Sequence, residues 1–401
     1  MEKNNERRVD VEYILPATVT EILDRLEKNG FRADVVGGPT RDLYLGMVPS
    51  DYDITTSATP EEIKSTFSSE RTVDTGIRHG TVTLVMNGEN YEITTYRIDG
   101  EYRDSRRPEN VTFTKYIEDD LARRDFTMNA MAYSPRHGIT DPYGAREDID
   151  RHLIRTVGDP RLRFGEDALR MLRALRFSAK LGFHIDDATR VAIFELWQST
   201  YAVSRERVFA ELKKLIESPF AYSVLREYGS LLAGHLSLES LRLPEEECFN
   251  RVGFLPRLLY LYAGSSTDFR AAMTALHTDS ALRESGSRIL SRLGKFDLGS
   301  EEDILFCLSK IGENEARDLI RLSYLLGKCD LSPLDTIDSI IAQEKPYRLS
   351  HLKVHGNDLI PLGLRGSTLG RMLSRLLEAV IRGECENEKE SLLEMARSLL
   401  L

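Results

Sequence analysis

The chain of 401 residues is long enough for roughly two to four domains, and its 41% hydrophobic content supplies real cores, which excludes a disordered or fibrous protein. With 54 basic and 64 acidic side chains the formal net charge is −10, so a uniformly basic nucleic-acid coat is excluded, while a local basic groove is not. Cys248, Cys307, Cys329 and Cys385 lie far apart with no CxxC and no zinc spacing, which reads as reduced, mostly buried thiols in a cytoplasmic protein. The polar residues 1–10 do not read as a signal peptide, and no apolar run is long enough to span a membrane.

Residues 20–29 have a helical period (Ile22, Leu23, Leu26) ending at Asn29-Gly30. The short apolar run Ala33–Val36 stops at Gly37-Gly38, and residues 40–45 then read as a helix start. Residues 51–56 begin with the alternation of a half-buried strand. Thr81–Met86 and residues 91–97 are β-rich and joined by Asn87-Gly88-Glu89-Asn90, a hairpin signal. Residues 98–108 are polar, with charges of mixed sign, and predict a mobile loop. From about Asp159 the texture becomes helical. A helix is predicted over 166–181, and helical patterns continue to a last helix over 384–401 opened by Asn387. Breaks suggest boundaries near Ser218-Pro219, 264–267 and Ser332-Pro333.

Three clusters carry chemistry. The first is Gly37-Gly38-Pro39-Thr40-Arg41-Asp42, followed by Asp51-Tyr52-Asp53. A diglycine turn between strand and helix lets backbone N–H groups approach an anion, and Arg41 can pair with a phosphate. Asp51 and Asp53, two apart on a strand, face the same way and repel each other unless a hard cation such as Mg²⁺ lies between them. Such a pair suits in-line phosphoryl transfer, and Glu92 in the following hairpin is the candidate third carboxylate. The second cluster, residues 123–130, places Arg123 and Arg124 beside Asp125, as a phosphate-binding helix start with an internally braced guanidinium.

The third cluster is a helix carrying Asp167, Arg170, Arg173 and Arg176 every three residues, in a locally basic window. Asp167 only accepts hydrogen bonds and Arg170 only donates them. Cytosine offers an amino donor beside acceptor N3, and adenine an amino donor beside acceptor N1. Guanine and uracil present the reverse order. Such a helix is either an exposed salt-bridged helix or the reader of a polar ligand; as a reader, an Asp/Arg pair one turn apart can select C and A without a template.

The order GGPTRD, DYD, YEITTYR, RRDFTMNAMAY, DPYG and RFGEDALRMLRALRF, within residues 33–183, resembles the class II tRNA nucleotidyltransferase and poly(A) polymerase family of the polymerase-beta-type superfamily. Residues 355–358 through 387–390 are similar to the tail of bacterial CCA-adding enzymes. The resemblance implies an α+β protein: an N-terminal nucleotidyltransferase palm or head at 1–157, then an all-helical neck (158–218), body (219–330) and tRNA-binding tail (331–401). It implies Asp51 and Asp53 as metal-binding catalytic acids with Glu92 as the third palm carboxylate. Gly38, Arg41 and Arg124 become nucleotide contacts, Asp167 and Arg170 the base readers, and Arg173 and Arg176 neighbouring nucleotide-binding arginines. Mg²⁺ is the implied cofactor. The acceptor end of tRNA, CTP and ATP are the implied partners, in the cytoplasm and with no membrane, and a homodimer stays open.

None of the eight histidines is followed by Asp, so the HD phosphohydrolase activity of some family members is not expected. Family members that add only two cytidines lack a flexible loop beyond the first acidic strand, so the resemblance, with segment 98–108 intact, implies full CCA addition or terminal A addition. The leading expectation is a CTP/ATP:tRNA nucleotidyltransferase. The alternatives are an A-adding enzyme, a poly(A) polymerase, which the absence of a long basic extension disfavours, and a non-catalytic RNA-binding protein, which the intact acids disfavour.

Overall fold

The computed structural model describes residues 13–100 and 110–400. The chain divides into two compact units, Met1–Phe220 and Ala221–Leu401.

The first unit carries strands β1 (Ala33–Val36), β2 (Ile54–Thr56), β3 (Arg71–Gly76), β4 (Thr81–Met86), β5 (Glu89–Thr95), β6 (Arg97–Asp99), β7 (Val111–Phe113), β8 (Ala132–Ser134), β9 (Gly138–Thr140), β10 (Leu153–Ile154) and β11 (His184–Ile185). Its helices are α1 (Ala17–Lys28), α2 (Gly38–Tyr44), α3 (Pro60–Thr66), α4 (Ile117–Ala122), α5 (Ala145–Asp150), α6 (Pro160–Glu166), α7 (Leu169–Leu181), α8 (Asp187–Leu196) and α9 (Arg205–Glu217). Among the described residues the main sheet runs β3-β4-β5-β2-β1-β8-β9. It is antiparallel except where β2 lies parallel to β5. Neighbouring residues of β1 enter different cores, as side chains of a strand must. Val35 packs with Ile22, Leu26, Ile54 and Ile93, whereas Val36 packs with Tyr96, Ile117, Leu121 and Ala132. The centre of the sheet is therefore buried on both faces, and the nucleotide-site candidates sit at the end of β1.

Several local expectations are corrected. α1 begins at Ala17, and α2 begins at Gly38 rather than at residue 40. The β4–β5 hairpin turns on two residues, not four: Asn87 (φ 53°) and Gly88 (φ 83°) both adopt the left-handed conformation such a turn requires, and Glu89 already pairs with Met86. The segment 98–108 is not all loop. Ile98 and Asp99 belong to β6, which pairs with β7, and residues 101–109 lie outside the described residues. One strand, β11, interrupts the helical stretch after 158, pairing in parallel with β10.

The second unit is helical throughout its regular elements, from Ala221–His235 to Lys389–Ser398. Gly286 allows close approach there, since a Cβ would stand 2.3 Å from Cε1 of Phe269. Asn387 does not cap the last helix. Its side chain instead accepts from Lys353 N–H at 3.1 Å and donates to His351 O at 2.9 Å, tying the segment to a distant turn. No helix among the described residues is long and apolar enough to cross a membrane.

Candidate active site

β1 runs into Gly37, whose backbone (φ 79°, ψ −129°) only glycine adopts freely. A Cβ at Gly37 would stand 3.0 Å from Nη1 of Arg124, so the turn and that guanidinium are in contact. Gly38 then opens α2. Arg41 lies in the last turn of this short helix, not its first, and is 2% exposed. Its Nη1 donates to Asn129 Oδ1 at 2.7 Å, and its Nε and Nη2 donate to Asp42 Oδ1 at 2.9 and 2.6 Å.

Asp51 and Asp53 precede β2 instead of lying within it. The chain joins the sheet only where Val36 N–H donates to Asp53 O at 3.0 Å, while Asp51 is exposed and accepts from the Ser50 hydroxyl. Because Ile54 pairs in parallel with Ile93, Asp53 and Glu92 each sit one residue ahead of a paired position. The Asp53 carboxyl, although reached by solvent, is hemmed in by protein. That desolvation, together with Asp51 and Glu92, pushes its pKa up against the pull of Arg124. The acids thus share one field. Among the described residues no three His, Cys, Asp or Glu side chains form a ready metal cage.

In the second cluster Arg123 caps the end of α4 rather than starting a helix. The brace for Arg124 is not Asp125 but the fully buried Asp120, 3.2 Å from its Nη2. Arg123 holds the other oxygen of Asp120 at 2.7 and 3.0 Å. The Nε of Arg124 is buried without a hydrogen-bond partner. Asp125 serves elsewhere. Its Oδ1 accepts from Phe126 N–H at 2.8 Å and Asn129 Nδ2 at 3.1 Å, and its Oδ2 accepts from Arg173 Nε at 2.8 Å. Burial alone would raise the Asp125 pKa. The Arg173 charge, the hydrogen bonds from Asn129 and Arg173, and the charge of Arg170 outweigh it and hold the carboxyl at about 2.

The predicted helix over 166–181 is two helices. Asp167 has extended backbone (φ −148°, ψ 105°) and ends α6, and its Oδ1 accepts from Leu169 N–H at 3.0 Å at the start of α7. This break overturns the single face expected of Asp167, Arg170, Arg173 and Arg176. Asp167 Oδ2 pairs with Nη2 of Arg207 on α9 at 2.6 Å. Arg170 instead pairs with Glu166 and donates to Arg163 O at 3.1 Å and Arg123 O at 3.2 Å. Arg176 pairs with Glu211 of α9. Three guanidiniums surround Phe177: Arg176 at 3.8 Å, Arg41 at 5.3 Å and Arg173 at 5.4 Å from the ring centre.

The structure therefore joins Gly37, Arg41, Arg124, Arg170, Arg173 and Arg176 through Asn129, Asp125, Asp120 and Phe177, and sets Asp53 in the field of Arg124. Asp120, Asp125, Asn129 and Glu166 escaped the sequence reading as site residues, although Asp125, Asn129 and Glu166 lie inside the motifs quoted above. Arg207 and Glu211 carried no local signal, being ordinary charges on an amphipathic helix.

Residues 33–155 match the poly A polymerase head domain family, and residues 182–231 match the family described as the probable RNA and SrmB-binding site of polymerase A. The CCA-adding enzyme of Lactobacillus helveticus (strain DPC 4571) is 36% identical over 391 residues, covering 92% of this chain and 94% of that one. The chain belongs to the CCA-adding enzyme family. The crystal structure of the Bacillus stearothermophilus CCA-adding enzyme in complex with CTP is 32% identical, with a TM-score of 0.78 over 95% of this chain and 97% of that one. A Thermotoga maritima CCA-adding enzyme complexed with tRNA shares the fold at 21% identity and a TM-score of 0.67, over 97% of each chain. The nucleotidyltransferase head and helical C-terminal region expected from the sequence are thus those of CCA-adding enzymes.

Proposed function

We propose that this protein is a CTP- and ATP-dependent tRNA nucleotidyltransferase that builds or repairs the 3′-terminal CCA of tRNA without a nucleic-acid template. The observation that carries the reading is the position of Arg124. It touches the Gly37 turn, acts on the charge of Asp53, and follows Arg123, whose carbonyl receives Arg170. Phosphate-side, acidic and base-side candidates meet around it, in a chain similar to CCA-adding enzymes along its length.

In this reading the tRNA 3′-hydroxyl attacks the α-phosphate of the incoming nucleotide and pyrophosphate leaves. Gly38, Arg41 and Arg124 lie on the phosphate side, with Arg173 and Arg176 bracing it. Asp51 and Asp53 would hold Mg²⁺. Their oxygens are hard donors; burial and, after it, the charges of Asp51 and Glu92 raise Asp53, and a cation would relieve that repulsion. Bound there, the ion would lower the hydroxyl pKa and neutralise charge building on the phosphates. Glu92 completes the acidic edge. Asp167 and Arg170 read the amino group and adjacent ring nitrogen of C or A, exchanging their present partners for the base. Residues 1–157 would form the palm, 158–218 the neck, 219–330 the body and 331–401 the tRNA-binding tail.

The test is product sequencing after incubation of the protein with a tRNA lacking CCA, CTP and ATP. Ordered addition of C, C and A is expected. Addition of A alone, a stop at CC, or an extended A tract overturns the reading.

A further inference from the structure

A second group of cations lies wholly inside the unit Ala221–Leu401. The helix Ser280–Arg292 ends in a turn with Gly294 at φ 74°, before the helix Glu301–Ile311 begins. Beside the helix Glu313–Leu325 and residues Lys328 and Cys329, this turn leaves a pocket of about 130 Å³. Arg292, Lys328, Ser323 and Asp297 supply its polar lining, and Phe296 and Leu319 its apolar surface.

Two cations meet in this pocket. Several others in the unit have carboxylate partners: Arg288 with Glu315, Arg317 with Glu313 and Asp338, Arg321 with Asp318, Lys310 with Glu378, and Lys345 with Glu301. Among the described residues neither Arg292 nor Lys328 forms an ion pair or donates a side-chain hydrogen bond, in a chain where acids outnumber bases. Arg292 is half-buried, and a guanidinium drawn from water without a counter-ion is costly. Asp297 also lines the pocket, its Oδ1 accepting from Gly299 N–H at 3.0 Å, so that against Arg292 and Lys328 the lining keeps one positive charge in excess. Lys328 Nζ hangs over the turn, 3.9 Å from where a Cβ of Gly294 would stand.

The pocket has room for a tetrahedral oxyanion. We infer that this pocket binds a phosphate group, with the Arg292 fork donating to its oxygens and Lys328 supplying the second positive charge. The group is supplied either by the backbone of a bound RNA or by free phosphate. The site lies within the unit Ala221–Leu401 and includes none of the residues assigned to the palm.

The test uses the full chain and the double variant Arg292→Gln/Lys328→Gln, after circular dichroism confirms the variant's fold. Thermal unfolding is followed in increasing inorganic phosphate against chloride of equal ionic strength, and tRNA binding is followed against salt. The parent Tm should rise saturably with phosphate and that of the variant should rise less, since a ligand binding only the folded state stabilises it and the phosphate side of the palm is intact in both. If RNA is the source, the variant's slope of log K on log salt should also shrink by about 1 to 2. If free phosphate is the source, that slope should stay unchanged while the phosphate shift is reduced. Arg292→Lys keeps the charge without the fork and should retain part of the effect. A parent protein with no saturable phosphate shift and the same salt slope as the variant overturns the site. So does a folded variant that keeps both parental responses.

Discussion

Asp125 and Arg173 are 48 residues apart in sequence, and Nε and Nη2 of the arginine stand 2.8 and 2.6 Å from one oxygen of the aspartate. The other Asp125 oxygen holds Asn129, which in turn holds Arg41. One buried carboxylate therefore braces α2 against α7.

That brace makes stability depend on pH. The Asp125 pKa of about 2 lies below its unfolded value of about 3.9, so its contribution is fully present above about pH 5 and disappears as pH falls toward 2. The shift corresponds to about 2.6 kcal/mol. Asp125→Asn should lose about that much at pH 7, and its denaturation midpoint should fall less steeply than the parent's between pH 5 and 3. Equal acid sensitivity of the two proteins in urea titrations would remove Asp125 from this role.

Asp51→Asn and Asp53→Asn should each cut nucleotide addition several hundred-fold or more, about 4 kcal/mol in barrier. The raised pKa of Asp53 adds a second expectation. A carboxylate held above its unfolded pKa costs stability at neutral pH, so both variants should unfold at slightly higher temperature than the parent in EDTA. Asp51→Asn should also lower the Asp53 pKa, read by NMR titration. Near-parental rates in either variant exclude the pair from catalysis.

Asp167→Ala should relax base choice more than it slows addition. G or U would no longer meet an unpaired carboxylate, whose penalty is about 1–3 kcal/mol. UTP or GTP incorporation should then rise above background on sequencing gels. A slower enzyme with parental fidelity argues that Asp167 serves only to cap α7 and hold Arg207.

Gly37→Ala tests the turn. Its φ of 79° strains any side chain, at a cost of about 1–3 kcal/mol, and the added methyl would press on Nη1 of Arg124. A lower Tm and a raised KM for both CTP and ATP are expected. A variant with parental Tm and KM would show that the contact with Arg124 is not needed.

Local chemistry made β1, the diglycine turn, the β4–β5 hairpin and the helical second half legible. Glycine conformation, strand alternation and helical period act over a few residues and need no distant partner. The same locality explains the misreadings. Asp53 looked like part of a strand because alternation does not reveal where a neighbouring strand begins to pair. Asn387 looked like a cap because the groups it bonds, at His351 and Lys353, are far away in the chain.

The candidate acids, arginines and base readers could be named from residue type and order, since a carboxylate accepts and a guanidinium donates wherever they fall. Their partners were settled only by folding. A spacing of three along one helix made Asp167 and Arg170 look like a facing pair. The extended backbone at Asp167 divides that helix, turning Asp167 toward Arg207, 40 residues on, and Arg170 toward Glu166. Ion pairs form between side chains that tertiary packing brings together, and no local period encodes which distant charge that will be.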